Sequence, residues 1–213
     1  MRLSELSAHS GVSTATIKYY LREQLLPQGR RITATQAEYD ESHLRRLRLV
    51  RALTQVGKVP VAAVREVLAA VDDESLSRTI RLGAALWALP QPQEADPEAP
   101  ATTRADEEAR RLLGELGWDN ALEIGPLSPA YRTLVTAMAS LRQLGYEAGV
   151  AELTPYARQM EEVAGHDLDV LEALPEEVEQ VEAAVAAAVL YEPVLLSLRR
   201  LAQEELATRR YGL

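Results

Sequence analysis

Gly11-Val12-Ser13-Thr14-Ala15-Thr16-Ile17-Lys18-Tyr19-Tyr20-Leu21-Arg22 is the stretch whose reading decides the fold. Gly11 can take the positive φ that a tight turn needs. Ser13 suits an N-cap, because its hydroxyl accepts from an orphan N–H one turn into a helix. Ile17 and Leu21, four apart, fall on one face; Thr14, Lys18 and Arg22, also four apart, fall on another. Upstream, Leu3-Ser4-Glu5-Leu6-Ser7-Ala8 places Leu3 and Leu6 well for a short first helix. Helix, glycine turn, helix is the helix-turn-helix layout, whose second helix enters the DNA major groove.

Outward from that stretch, Arg22 to Pro27 closes the second helix, and Leu25-Leu26-Pro27 turns the chain back onto the core. Gly29 to Ala37 has neither helical nor strict strand periodicity. Arg30 and Arg31 beside Gly29 suit a wing, a hairpin whose cations reach phosphate; the plainer alternative is a solvated loop. Phosphate contact supplies affinity and register but no sequence information. Asp40 can cap a third helix running to about Val56, with Leu44, Leu47, Val50 and Leu53 inward. Arg45, Arg46, Arg48 and Arg51 crowd its other side. Gly57 fits the C′ position of this helix, and Pro60 fits N1 of a fourth. Val61, Val64, Val67, Leu68 and Val71 give that fourth helix its core stripe.

The run from Leu3 to Val71 resembles the winged-helix DNA-binding domain of the MerR family of transcription regulators. The residues that carry the resemblance are LSELSAHSGVSTATIKYYLREQLLP, GRRITATQAEYDESHLRRL and LVRALTQVGKVPVAAVREVL. It implies a DNA interface of Ser13, Thr14, Thr16, Lys18, Tyr19, Tyr20 and Arg22 on the recognition helix. Arg30, Arg31 and Tyr39 belong to the wing, and Lys58 to a second wing between the third and fourth helices. The resemblance also implies a homodimer on a pseudo-palindromic promoter site, acting with RNA polymerase by distorting an overlong promoter spacer. Three positions depart from the family pattern. Ala37 stands where an arginine is usual two residues before Tyr39, Gln24 where a glycine is common, and Lys18-Tyr19 where Arg-Tyr is usual. Lysine is a point charge without bidentate geometry, so Lys18 suits phosphate rather than guanine.

The net charge of −9 is unevenly spread. Residues 1–71 hold 11 Lys/Arg and 6 Asp/Glu, a net of +5; residues 72–213 hold 12 and 26, a net of −14. That is a nucleic-acid-binding head on an acidic body, and the body confines DNA contact to the head by repulsion. The absence of cysteine closes disulfides and the thiolate route to metal or redox sensing. No basic n-region followed by an apolar run occurs in residues 1–30, so no signal peptide is expected. The longest apolar run, Ala183–Tyr191, is too short to span a bilayer. A soluble cytoplasmic protein without a membrane partner follows.

Asp72-Asp73-Glu74 is expected to open a connecting helix through residue 89, with Leu76, Ile80, Leu82, Leu86 and Leu89 apolar. It stops at Pro90, short of the long dimerisation helix usual in MerR proteins. Residues 90–101 (PQPQEADPEAPA), with four prolines and three acids, read as a linker. Beyond it every signal is helical. Thr103 and Asp106 resemble a capping box for a helix to Leu116. Ser128-Pro129 opens one to about Leu144, and Thr154-Pro155, or Gly149 before it, opens another. Pro175-Glu176-Glu177 opens a last segment, with Val178, Val181, Val185 and Ala188 before Pro193 and Val194, Leu198 and Leu201 after it. It reads as two helices or one bent helix. The fold class is therefore mainly α: a winged helix-turn-helix with a small β wing over 1–71, a connecting helix over 72–89, a linker over 90–101, and an all-α body over 102–213.

No phosphate-binding glycine loop, Cys nucleophile or serine elbow is present, and His9, His43 and His166 are scattered. No enzyme and no cofactor is expected. His166-Asp167-Leu168-Asp169 reads as a helix start with acidic first-turn residues rather than a metal cluster. Trp118, Tyr131, Tyr146 and Tyr156 are candidates to line a pocket for a small apolar effector; the alternative is core packing. Residues 102–213 are accordingly read as an effector-binding and dimerisation domain, with 176–210 at the dimer interface. The competing reading makes that body a protein-interaction module without a small-molecule effector.

Overall fold

The computed structural model describes residues 1–33, 36–91 and 95–212. In chain order the elements are α1 (Leu3–Ser10), α2 (Thr14–Arg22), β1 (Arg30–Arg31), β2 (Ala37–Glu38), α3 (Glu41–Arg51), a π-helical turn (Ala52–Val56), α4 (Val61–Asp72) and α5 (Arg78–Trp87). They continue as α6 (Pro100–Leu116), α7 (Asp119–Ile124), a 3₁₀ turn (Gly125–Leu127), α8 (Pro129–Gln143), α9 (Val150–Glu172) and α10 (Glu177–Tyr211). The chain divides into two units: Met1–Leu89 with Leu174–Leu213, and Pro90–Ala173. Parts of the expected wing (34–35) and linker (92–94) lie outside the described residues.

In the first unit, the head, Gly11 turns the chain at φ +65 between α1 and α2. The Ser13 hydroxyl accepts from the Thr16 N–H at 3.1 Å, capping α2 as its chemistry requires. Leu6, Ile17, Leu25 and Leu26 are buried together with Leu44, Leu47, Val50 and Leu53 of the α3 stripe. β1 and β2 pair antiparallel, Arg30 opposite Glu38 and Arg31 opposite Ala37. The Asp40 carboxylate accepts from the N–H groups of Ser42 and His43 at 3.0 and 3.3 Å and so caps α3.

Hydrogen bonds from Ser42, then His43, hold the Asp40 carboxyl well below the usual range against a small opposing effect of burial. A carboxyl lowered in the folded state stabilises above its unfolded pKa, and that stability is lost as pH falls through the folded value. Asp40→Ala is therefore expected to cost about 1 kcal/mol at neutral pH. The deficit should close only in strongly acid solution, as urea titrations at a series of pH values would show.

Sequence and structure part company at several places in the head. Gly57 is not left-handed; it sits at φ −70, and Lys58 takes the positive φ of +53 instead. Such a conformation costs a side-chain-bearing residue about 1–2 kcal/mol. Pro60 is the N-cap of α4, one residue before N1. The connecting helix begins at Arg78 rather than at Asp72, which closes α4. Its inward face carries Arg81 and Ala85, while Ile80 is exposed. Arg81 is buried because it works as a cap: its Nε and Nη2 donate to the Val71 carbonyl at 3.1 and 2.6 Å.

The largest revision concerns α10. It is one continuous helix through Pro193, 35 residues long, which spans about 52 Å at the α-helical rise. Val181 and Val185 belong to the core of the head, with Ala186 and Val189 packed against it. The expected body of 102–213 is therefore divided, because α10 contacts α3, the π turn, α4 and α5. Ionic pairing helps to seat it. Arg46, outside the apolar stripe of α3, is buried with its Nε 3.0 Å from Glu182 Oε1. Its remaining nitrogens engage the Asp72 carboxylate. Arg45 reaches Glu179 at 2.9 Å, and Arg81 reaches Glu177 at 3.4 Å.

By length and composition α10 is apolar enough to cross a membrane, with a stretch of mean hydropathy 1.7. The uninterrupted run Ala183–Tyr191 understated this. Packing into the head accounts for Val181, Val185, Ala186 and Val189.

In the second unit, α6 begins at Pro100, so Thr103 lies inside it rather than at its start. Gly117 ends it at φ +71. Small residues let helices approach closely: Ala105, Ala109 and Leu113 of α6 meet Tyr131, Val135, Met138 and Ala139 of α8. α9 starts after Gly149, whose N–H donates to the Glu152 carboxylate at 3.0 Å. Pro155 falls inside it. His166 to Asp169 also lie within α9 and are not a helix start. Among the described residues no group of His, Cys, Asp or Glu is placed to hold a metal ion.

Candidate nucleic-acid interface

α2 offers Thr14, Lys18 and Arg22 on its exposed side, successive turns of one face. Ser13 and Thr16 turn their hydroxyls to each other at 2.8 Å and are occupied by the cap. The Arg22 guanidinium carbon lies 5.3 Å from the centroid of the half-buried Tyr19 ring, a cation–π arrangement that limits its freedom. Its Nε is 3.7 Å from Glu23.

Tyr20 does not belong to this surface. It is 6% exposed, because it follows Ile17 by three residues and shares its inward face. Tyr39 is likewise 6% exposed. Its ring meets His43 edge-on at 5.2 Å, and burial pushes its phenol up.

On the wing, Arg30 is paired across the strands with Glu38, and this hydrogen bond holds the Glu38 carboxyl below the usual range. DNA contact by Arg30 requires exchange of that partner. Arg31 is exposed beside it, and Lys58 is exposed on the loop between the π turn and α4.

Two arginines that sequence patterns do not single out hold the helix-turn-helix in place. Arg51 Nη1 donates to the Ser10 carbonyl at the end of α1, at 2.9 Å. Arg65 grips the end of α2, with Nε 3.1 Å from the Glu23 carbonyl and Nη2 3.0 Å from its carboxylate. Cations at helix C-termini are favoured by the helix dipole. Each contact joins residues about forty positions apart (separations of 41 and 42), so neither leaves a local signal.

A capped helix pair, a two-stranded wing and a basic loop beyond α3 define a winged helix-turn-helix DNA-binding regulator. Residues 1–71 match the family described as MerR HTH family regulatory protein. The crystal structure of SCO5550 from Streptomyces coelicolor A3(2), a protein assigned as a transcriptional regulator, is similar over the whole chain. It has 59% sequence identity and a TM-score of 0.87, covering 100% of this chain and 99% of that one. No curated protein gives a significant match. The chain belongs to the MerR family of helix-turn-helix regulators.

The four aromatic residues suggested for an effector do not converge on one pocket in the second unit. Tyr131 is 8% exposed and donates its hydroxyl to Asp106 Oδ1 at 2.6 Å. Burial, then the Asp106 carboxylate, pushes its phenol far up. Burial works upward on Asp106 as well, but hydrogen bonds from Tyr131 and Arg110 outweigh it and hold the carboxyl down. Tyr131 lines a cavity of about 280 Å³ with Thr102, Asp106, Pro126, Val135 and Thr136. Tyr146 is 64% exposed and borders a different depression, with Arg104, Arg142 and Glu152. Trp118 is half-buried and donates Nε1–H to Glu161 at 3.3 Å. Tyr156 is 56% exposed on α9.

Proposed function

We propose that this MerR-family regulator binds a pseudo-palindromic promoter site as a homodimer and acts there with RNA polymerase. The observation that carries the DNA reading is the exposed Thr14, Lys18 and Arg22 face of α2, set in a head of net charge +5 over residues 1–71. Tyr19 borders that face. Arg30 and Arg31 on the wing and Lys58 on the second wing would hold phosphates on either side. DNA as the target places the protein in the cytoplasm.

The dimer reading is supported by the second half of α10. Leu190, Val194, Leu198, Leu201 and Leu206 are all exposed there, and they recur at spacings of three to five along one helix. A two-fold site calls for a two-fold protein, and a second α10 is the partner such a helix would suit.

A small effector would find its place beside Tyr131, in the 280 Å³ cavity. The competing partner-controlled reading draws on α9, which buries none of its residues and exposes Tyr156, Met160, Leu168 and Val170.

The DNA reading is tested by Lys18→Ala. The variant should bind duplex DNA about tenfold more weakly, with a salt slope smaller by about one unit per protomer. Binding and slope equal to those of the unaltered chain would remove Lys18 from the interface.

A further inference from the structure

The loop Gly57-Lys58-Val59 joins the π turn to α4. Its glycine is at the wrong place for its backbone. Lys58 takes the left-handed φ of +53, which glycine adopts without penalty. Gly57 takes φ −70, open to any residue. Glycine therefore stands at 57 for space. A Cβ there would collide with Val189 Cγ1 of α10, and would also meet the Leu53 carbonyl oxygen at 3.0 Å. The loop is also held by hydrogen bonds from the Gly57 N–H to Ala52 O and from the Val59 N–H to Leu53 O, each at 2.9 Å.

α10 is itself fixed in rotation at this point. Glu182, Val185 and Val189 follow a three-then-four spacing and share one face. Glu182 is held by Arg46 at 3.0 Å, and Val185 is fully buried in the head. The same face that carries the ionic clasp thus carries the side chain lying on Gly57.

We infer that α10 sets the second wing: by seating Val189 on Gly57 it fixes the backbone at Lys58, and with it the phosphate contact of Lys58. Val189 and Gly57 are positioning residues that do not touch DNA. The inference rests on the reading of Lys58 as a phosphate contact. Its consequence is that a ligand or partner favouring a shifted α10 is read out as weaker binding by the head, in proportion to its preference for the shifted state.

The test uses the full chain and a short duplex of unrelated sequence, with affinity measured across a salt series. Lys58→Ala should lose about one unit of salt slope per bound protomer. Gly57→Ala should lose the same, although it removes no charge. Adding Val189→Ala to Gly57→Ala relieves the collision with Val189, leaving only the tight approach to the Leu53 carbonyl, and should restore most of the slope and affinity. A Gly57→Ala chain that binds like the unaltered protein overturns the inference, and so does a double variant as weak as Gly57→Ala. Should Gly57→Ala fail to fold by circular dichroism, Val189→Ala alone decides. It empties the contact without adding atoms; a reduced slope supports the inference and an unchanged slope overturns it. An unchanged slope in Lys58→Ala shows instead that the second wing does not touch DNA, which removes the premise and the inference with it.

Discussion

Arg46→Ala is expected to destabilise the head by about 3 kcal/mol, because it leaves Glu182 charged and buried. Glu182 is 8% exposed. Burial already pushes its carboxyl up, against the pull of Arg46 and Arg45. Without Arg46 the upward push grows. A carboxyl raised in the folded state penalises folding at pH above its folded pKa, and the penalty fades as pH falls through that value. The deficit of Arg46→Ala should therefore narrow on acidification toward the ordinary glutamate range, at higher pH than the strongly acid solution in which the deficit of Asp40→Ala closes. Replacing both partners, as Arg46→Met with Glu182→Leu, is expected to recover most of the loss, since the desolvation cost disappears with the charges. Urea unfolding of the unaltered chain and the two variants over a pH series measures all of this. A double variant as unstable as Arg46→Ala would show that the pair is not what anchors α10.

Ending the chain after Val189 is expected to leave the head folded and to abolish the dimer. Val181, Glu182, Val185 and Val189, which the head needs, are retained. The exposed apolar residues from Leu190 to Leu206 are lost. Two linked heads bind a two-fold site more tightly than one by about 10²–10⁴. The truncated chain should lose affinity for such a site by about that factor, while its binding to a single half-site is little altered. Sedimentation would report the monomer. Removing all of 176–213 would be a poorer test, since it takes core residues of the head with it.

The parts of the fold legible in the sequence are those with local causes. Gly11 at a left-handed turn and Ser13 and Asp40 as caps all stand where their chemistry points. The wing is marked by Gly29 with its two arginines, and β1 carries both of them. The family resemblance puts Tyr20 at the interface, but its three-residue spacing from Ile17 places it inward. Gly57 shows a limit of another kind. Glycine answers two different needs, a positive φ or a close approach, and only the position of Val189 distinguishes them.

The place of α10 was not legible, because its determinants are pairs such as Arg46 with Glu182, separated by 136 residues. Both halves of that helix read as apolar stripes. Nothing local distinguishes Val181 and Val185, buried in the head, from Val194 and Leu198, which are exposed.

The central claim is the proposed sequence-specific DNA binding as a homodimer. Its most direct test is binding of the full chain to the region upstream of its own gene and to a scrambled duplex of the same composition, across a salt series. The account predicts tight binding to the upstream region alone, at two protomers per site, with affinity falling steeply as salt rises. Weak and equal binding to both duplexes would contradict it.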